Sequence, residues 1–251
     1  MIAVIPARMA SSRFPGKPLA AETGRAMVLH VADRARAATL VDRVLVAAPD
    51  PEIIDVVVRD GGEAMLTGDD HPNGTSRLAE VVTRLGGEIE PGSIVVNVQG
   101  DEPELDPRTI DAVVAALEAD PDSDMATVAA PWDPEDDPDD PSIVKVVRSA
   151  RGRALYFSRS RIPFVRDPRE RASTAATPLR HVGLYAYRTE FLTRFAAWPE
   201  SPLERLESLE QLRVLEHGGT IAVAIHPESG SGIDTPEQYA AFVARWVANR
   251  S

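Results

Sequence analysis

Three observations predict a layered α/β fold, Rossmann-like and doubly wound around a mixed sheet. Short β-branched runs recur with apolar residues at consecutive positions, the pattern of strands buried on both faces. Helical patterns lie between them through the first half, so strand and helix alternate and the crossovers are right-handed. In the second half two strand-like runs follow each other with no long helix between, which adds an antiparallel part and a small second lobe.

The predicted strands cover 2–5, 44–47, 64–66, 94–98 and 125–129, then 143–147, 154–158, 181–187 and 220–225. Over 27–38 the helical period places Met27, Val31 and Ala35 on one stripe, and 76–85 and 109–117 carry similar spacing. Asp50-Pro51, Asp106-Pro107, Ser201-Pro202 and Thr235-Pro236 share one start signal: a capping side chain, then proline at the first helical position. Ser201 with Glu204 and Thr235 with Gln238 also form capping boxes. Glu210 and Gln211 fall on what reads as one long amphipathic helix. Between the halves, 132–141 carries six carboxylates, half of the net charge of −12, among prolines that exclude helix interior and central strand. A solvated loop is expected there; it lacks the glycine of a calcium loop. The chain reads as one domain, 1–251, with a first half 1–130 and a second half 142–251.

With 251 residues, 43% hydrophobic and 26% charged, the chain has enough apolar surface to fold without staples. Having no cysteine, it has no disulfide framework, thiolate nucleophile, iron–sulfur cluster or thiolate zinc site, which suits a reducing cytoplasm. The net charge of −12 repels nucleic acid and anionic membrane surfaces, so neither is expected as a partner and phosphate binding must be local. No apolar run approaches the ~20 residues that span a bilayer, and the start lacks a signal-peptide core. A cytoplasmic protein is expected.

Local phosphate chemistry is offered by 6–19, where Arg8, Ser11, Ser12, Arg13, Gly16 and Lys17 follow the first strand. Open α/β sheets bind ligands at that edge, and glycine lets backbone approach phosphate oxygens. Neither the Walker loop nor G-x-G-x-x-G is present. Asp101 and Glu102 follow the strand 94–98 at its carboxyl edge, and Asp234 sits between Gly232 and the helix start at Thr235. Two such acids meeting there would suit magnesium, held by carboxylates and substrate phosphates. Asp234 by itself is more simply read as an acid at the helix dipole or beside the Thr235 cap. His30, His71, His217 and His226 show no metal-ligand spacing.

The blocks Ile5-Pro6-Ala7-Arg8, Ser11-Ser12-Arg13 and Pro15-Gly16-Lys17-Pro18-Leu19 resemble the opening of the 3-deoxy-manno-octulosonate (Kdo) cytidylyltransferase family, the CMP-Kdo synthetases. Asn73-Gly74-Thr75-Ser76-Arg77, Val98-Gln99-Gly100-Asp101-Glu102-Pro103, Val144-Lys145-Val146, Tyr156-Phe157-Ser158-Arg159, Arg180-His181-Val182-Gly183, Leu209-Glu210-Gln211-Leu212-Arg213 and Gly232-Ile233-Asp234-Thr235-Pro236 continue the likeness in the family's order. It spans nearly the whole chain. The resemblance implies a nucleotidyltransferase fold with a dimerisation arm and transfer of CMP from CTP to the anomeric hydroxyl of Kdo, for lipopolysaccharide. It implies Lys17, Asp101 and Asp234 as catalytic, with Mg2+ on both aspartates. Arg8, Ser11, Ser12, Arg13, Lys17, Thr75 and Arg77 are implied for CTP, and Gln99, Arg159, His181, Tyr185, Glu210 and Gln211 for the sugar acid. A homodimer through the second-half arm is implied too.

On their own, Thr75 also reads as an N-cap, Arg77 as a surface helix residue, and His181 and Tyr185 as strand residues packing on one face. The likeness frays at Ser76, where the family commonly has an acid, at 47–50, and at 132–141 and 166–178. These departures touch base and sugar contacts and leave phosphate groups intact. An amino-substituted or sialic-type sugar acid, or a catalytically silent nucleotide-binding module, therefore stays open.

Overall fold

The computed structural model describes residues 1–251 except 12, 91, 134, 168, 171–178, 228–231 and 250–251. The chain folds as two compact units, Met1–Asp111 with Ser229–Ser251, and Ala112–Glu228. These divisions and the sequence-based halves cut the chain at different places, and the C-terminal segment carrying Asp234 belongs with the first unit.

The first unit holds β1 (Ile2–Pro6), β2 (Arg43–Ala48), β3 (Glu63–Leu66) and β4 (Ile94–Asn97) in the order β3-β2-β1-β4. All pair in parallel, Ile2 lying opposite both Arg43 and Val95. Their helices are α1 (Met27–Arg36), α2 (Pro51–Arg59), α3 (Gly74–Leu85), the start of α4 (Pro107–Ala119) and α8 (Pro236–Ala248). Ala3, Val4 and Ile5 are wholly buried, which is why β1 reads as a continuous apolar run. From β1 the chain winds outward to β2 and β3, then returns to β4 on the other side. The carboxyl edges of β1 and β4 thus flank a topological switch point, the crevice where such sheets take ligands.

Met27, Ile233, Tyr239 and Phe242 form a buried cluster with Phe14 and Trp246 packed against it. Phe14 meets Tyr239 at 5.5 Å between ring centroids, and Ile233 N donates to Asp101 O at 2.8 Å. The apolar face of α8 therefore anchors both the loop after β1 and the residue before Asp234. Removing the Phe242 ring would cost about 3–5 kcal/mol.

The second unit holds β5 (Met125–Pro131), β6 (Lys145–Arg148), β7 (Ala154–Ser158), β8 (Leu179–Arg188) and β9 (Ile221–Ile225), with α5 (Thr189–Ala197), α6 (Pro202–Glu207) and α7 (Gln211–Glu216). β5 is antiparallel to β8 and parallel to β9, and β6 is antiparallel to β7 and β8, so the sheet is mixed as predicted. The predicted strands and the helices 27–38, 76–85 and 109–117 stand within two residues of the observed ends. Both capping boxes are present, and Asp106 accepts from Arg108 N at 2.9 Å. In the segment 132–141, Asp133, Asp137 and Asp140 accept backbone N–H groups two residues on, as in a solvated loop of Asx turns.

Two local expectations fail. Asp50 makes no side-chain cap for α2; its carboxylate accepts from Met9 N at 2.8 Å instead. The long helix around Glu210 is two helices, broken at Ser208, the one non-glycine residue with positive φ (50°) among those described. Such backbone costs on the order of 1–2 kcal/mol. Arg159 offsets it, bonding the carbonyls of Glu207 at 2.6 Å and Ser208 at 3.3 Å.

Candidate active site

A cleft of about 350 Å³ opens in the first unit along the carboxyl edge of its sheet. Its floor is the end of β1: a Cβ at Gly100 would stand 2.6 Å from Pro6 O, and one at Gly74 3.2 Å from Pro6 Cγ. Only glycine fits at 100. The loop after β1 turns at Gly16, whose φ of 73° lies in the left-handed region. Gly16 N closes the turn on Met9 O at 3.0 Å. Arg8, Ser11, Arg13 and Lys17 of this loop all line the cleft. Ser11 Oγ accepts from Phe14 N at 3.3 Å; Ser12 lies outside the described residues.

At the β4 end, residues distant in sequence converge. Lys17 Nζ donates to Asp101 Oδ2 at 2.8 Å, Ile233 O at 2.7 Å and Asp234 Oδ1 at 3.5 Å. Arg13 Nη2 lies 3.1 Å from Asp234 Oδ1. Asp234 does not cap α8: Thr235 accepts from Gln238 N, and the Asp234 carboxylate faces the loop cations. The dipole and cap alternative thus gives way to a side chain turned toward the cleft. Two carboxylates already sharing one cation form a set of hard oxygen donors of the kind that takes magnesium alongside phosphates. Among the described residues no cluster of three or more such ligands exists, so substrate or water oxygens would complete a coordination shell.

The β3 end is built differently. Asn73 caps α3 by accepting from Ser76 N at 2.9 Å, so Thr75 is not the cap; it is 2% exposed and does not line the cleft. Arg77 is not a surface residue: it is 4% exposed and donates to Thr67 Oγ1 and, at 2.8 Å, to Gly68 O. Burial lowers the Arg77 pKa, Glu80 counters this, and the Arg8 charge lowers it further. His71 lines the same end, with Nε2 bonded to Glu80 Oε2. Glu80 also accepts from Gly68 N at 3.0 Å and pairs with Arg84. Burial alone would raise the Glu80 pKa, but His71, Gly68 N and Arg84 together hold it below the ordinary value. Sequence reasoning missed His71, Gly74 and Gly100 as lining residues and Asp50 as a brace for the loop. A histidine screened only for metal-ligand spacing carries no signal of this use, and an acid before proline reads as a cap.

In the second unit a β-bulge brings together His181 and Tyr185, two of the residues expected to meet the sugar acid. Tyr185 lies opposite Thr127 but Val182 opposite Val128, so Gly183 and Leu184 are extra residues of β8. Residues four apart on a regular strand are ~13 Å apart, yet the His181 and Tyr185 rings stand 5.5 Å apart. Thr127 Oγ1 lies 2.9 Å from both His181 Nε2 and Leu184 O. With its single hydrogen spent on that carbonyl, the hydroxyl accepts from His181 Nε2–H. Burial pushes the His181 pKa down to about 3, leaving a neutral ring. Burial, then the Glu210 charge, raises the Tyr185 pKa, which places the Glu210 charge near Tyr185. Arg213 Nη2 holds Glu210 Oε1 at 2.9 Å. Gln211 is 3% exposed and its Nε2 is buried with no hydrogen-bond partner among the described residues, a donor available to a ligand. Arg159 stands apart: its guanidinium reaches the carbonyls of Glu207, Ser208 and, at 2.8 Å, Pro141. Gln99 lines the cleft of the first unit.

Among the described residues no helix is long and apolar enough to cross a membrane. A family model described as cytidylyltransferase matches residues 2–221. The 3-deoxy-manno-octulosonate cytidylyltransferase of Syntrophotalea carbinolica is 51% identical over 242 residues, covering 94% of each chain. That of Syntrophobacter fumaroxidans is 49% identical over 97% of this chain and 95% of its own. The solved structure of a CMP:2-keto-3-deoxy-manno-octonic acid synthetase complexed with CTP matches with a TM-score of 0.90 and 40% identity, over 99% of this chain and 98% of that one. With a matching family model and relatives this similar over nearly their whole length, the chain belongs to the 3-deoxy-manno-octulosonate cytidylyltransferase family.

Proposed function

We propose that this chain transfers CMP from CTP to the anomeric hydroxyl of 3-deoxy-D-manno-octulosonate, releasing pyrophosphate and supplying CMP-Kdo for lipopolysaccharide. The observation that carries this reading is the convergence of Lys17, Asp101 and Asp234 at the switch-point cleft, in a chain so similar to a synthetase complexed with CTP. The sugar oxygen bonds the α-phosphorus, the bond from that phosphorus to the oxygen bridging to the β-phosphate breaks, and the hydroxyl proton passes to water. Little covalent work falls to the protein; alignment and charge neutralisation supply the rate.

Arg8, Arg13 and Lys17 take the triphosphate, with Ser11 and Ser12 as hydroxyl partners. Asp101 and Asp234 are the residues that would hold a magnesium ion. When bound, it neutralises phosphate charge and lowers the pKa of the sugar hydroxyl. Thr75 and Arg77 back the nucleoside end, Arg77 by fixing the turn at 67–68. Gln99, His181, Tyr185, Glu210 and Gln211 take the sugar acid. His181 acts as a neutral hydrogen-bonding group, and Tyr185 stays protonated. Arg159 has already engaged three carbonyls, so in this reading it orders the sugar subsite and offers its remaining N–H groups to the substrate carboxylate. The protein works in the cytoplasm as a homodimer, in which a partner would cover exposed apolar side chains of the second unit such as Phe164 (85% exposed) and Leu206 (80%); a monomer-only sedimentation profile at micromolar concentration opposes that assembly.

The test is pyrophosphate release with CTP, Mg2+ and a panel of sugar acids. Release is expected with Kdo above amino-substituted or sialic-type acids. CTP binding without release for any acid would mark a silent nucleotide-binding module.

A further inference from the structure

The β3 end of the cleft holds a histidine whose protonation pattern is fixed by its neighbour. Glu80 Oε2 accepts from Gly68 N at 3.0 Å and touches His71 Nε2, while Oε1 pairs with Arg84. An ionised carboxylate only accepts, so Nε2 must carry the hydrogen. In the neutral ring Nδ1 is then a bare acceptor. It makes no hydrogen bond among the described residues, and His71 lines the cleft.

Position says what this acceptor meets. β3 and β4 are separated by β2 and β1 in a parallel sheet, three strand spacings or about 14 Å. That is on the order of the length of an extended nucleoside triphosphate. With the triphosphate at Lys17, Asp101 and Asp234, the base falls at the β3 end. At position 4 cytosine carries an amino group where uracil carries a carbonyl, a difference that a hydrogen-bond acceptor reads in favour of cytosine, as a donor does at N3. Arg77 donates to Gly68 O and Asn73 Oδ1 accepts from Ser76 N at 2.9 Å, so at position 4 the histidine nitrogen is the side-chain acceptor that carries no partner bond among the described residues.

We propose that His71, held by Glu80 in its Nε2–H tautomer, is a specificity-determining residue that selects cytosine over uracil by accepting from the 4-amino group at Nδ1. The proposal rests on the reading of this cleft as a nucleoside triphosphate site. A uracil carbonyl would set lone pair against lone pair and leave both groups unpaired.

Equilibrium binding of CTP and UTP, measured by calorimetry, tests this without turnover. Wild type is expected to prefer CTP by at least about tenfold. His71→Phe brings the two affinities within about twofold, mainly by weakening CTP. Glu80→Gln narrows the gap with His71 intact, because an amide can donate to Nε2 and move the ring hydrogen to Nδ1. A merely structural role would weaken both nucleotides alike and leave the ratio unchanged. A preference retained in both variants, or equal binding of CTP and UTP by wild type, overturns the proposal alone; wild type binding neither nucleotide overturns the reading beneath it. Should either variant misfold, 15N NMR of wild type decides: Nε2–H at His71 is expected, and Nδ1–H contradicts the proposal.

Discussion

His181, proposed above to meet the sugar acid, also bears on the acid stability of the second unit. Burial holds its pKa at about 3 against an ordinary 6.5. Between these values the unfolded chain binds a proton that the folded chain refuses. The group's contribution to stability is therefore complete above pH 6.5 and is lost as pH falls toward 3. At about 1.4 kcal/mol per pH unit below 6.5, the loss from pH 7 to pH 5 is about 2 kcal/mol, in a range where ordinary carboxylates remain mostly ionised. Replacing His181 by Gln keeps a donor near Thr127 Oγ1 and removes the titration. Urea unfolding of both proteins at pH 7 and pH 5 gives a double difference in which every other titrating group cancels. Wild type should lose about 2 kcal/mol more than His181→Gln over that interval. A double difference below about 0.5 kcal/mol, or an NMR titration of His181 centred near the ordinary value, would refute the neutral, half-buried ring.

Other consequences follow from side chains with unusual partners. Asp50→Ala frees Met9 N and loosens the phosphate loop, so the KM for CTP should rise about tenfold, roughly one lost charge-assisted hydrogen bond. Asp50→Asn keeps an acceptor and should stay within about threefold of wild type in the same assay. Lys17→Met leaves Asp101 and Asp234 without their shared ammonium and should weaken CTP binding at least about tenfold by calorimetry; unchanged affinity would remove Lys17 from the site. Lys145 is wholly buried and donates at 2.7 Å to the carbonyls of both Asp140 and Arg159. Lys145→Met strands those carbonyls while sparing the burial of a charge, for a net loss of about 1–3 kcal/mol in urea unfolding. An equally stable variant would show that burying the ammonium cancels its bonds.

Much of the fold was legible because it follows from local rules. Continuous apolar runs such as Ile2-Ala3-Val4-Ile5 admit few alternatives to a buried strand, and Ser201 and Thr235 cap the helices that their boxes announce. The site was legible as far as a single segment could carry it: the loop 6–19 declares phosphate chemistry by composition and by its place after β1. Tertiary features were silent. At Ser208 the helix breaks where Arg159, just past the end of β7, bonds the carbonyls at the break, and no helical period records that visitor. The bulge that brings His181 to Tyr185 depends on the partner strand. Asp50 obeys every rule for an N-cap, yet its carboxylate goes to Met9 N, 41 residues away. Spacing alone likewise left Asp234 between two readings, and the contacts with Lys17 and Arg13 decide which way its side chain turns.

Asp101→Asn bears most directly on how the cleft works. The substitution keeps the shape and an acceptor for Lys17 Nζ while removing one of the two charges that meet at that nitrogen. Charge moves onto the phosphates chiefly as the transition state forms. With Mg2+ and Kdo present, turnover should therefore fall by about a thousandfold or more while CTP affinity measured on the same protein stays within about threefold. Turnover near the wild-type rate, or a loss of affinity as large as the loss of turnover, would contradict the account.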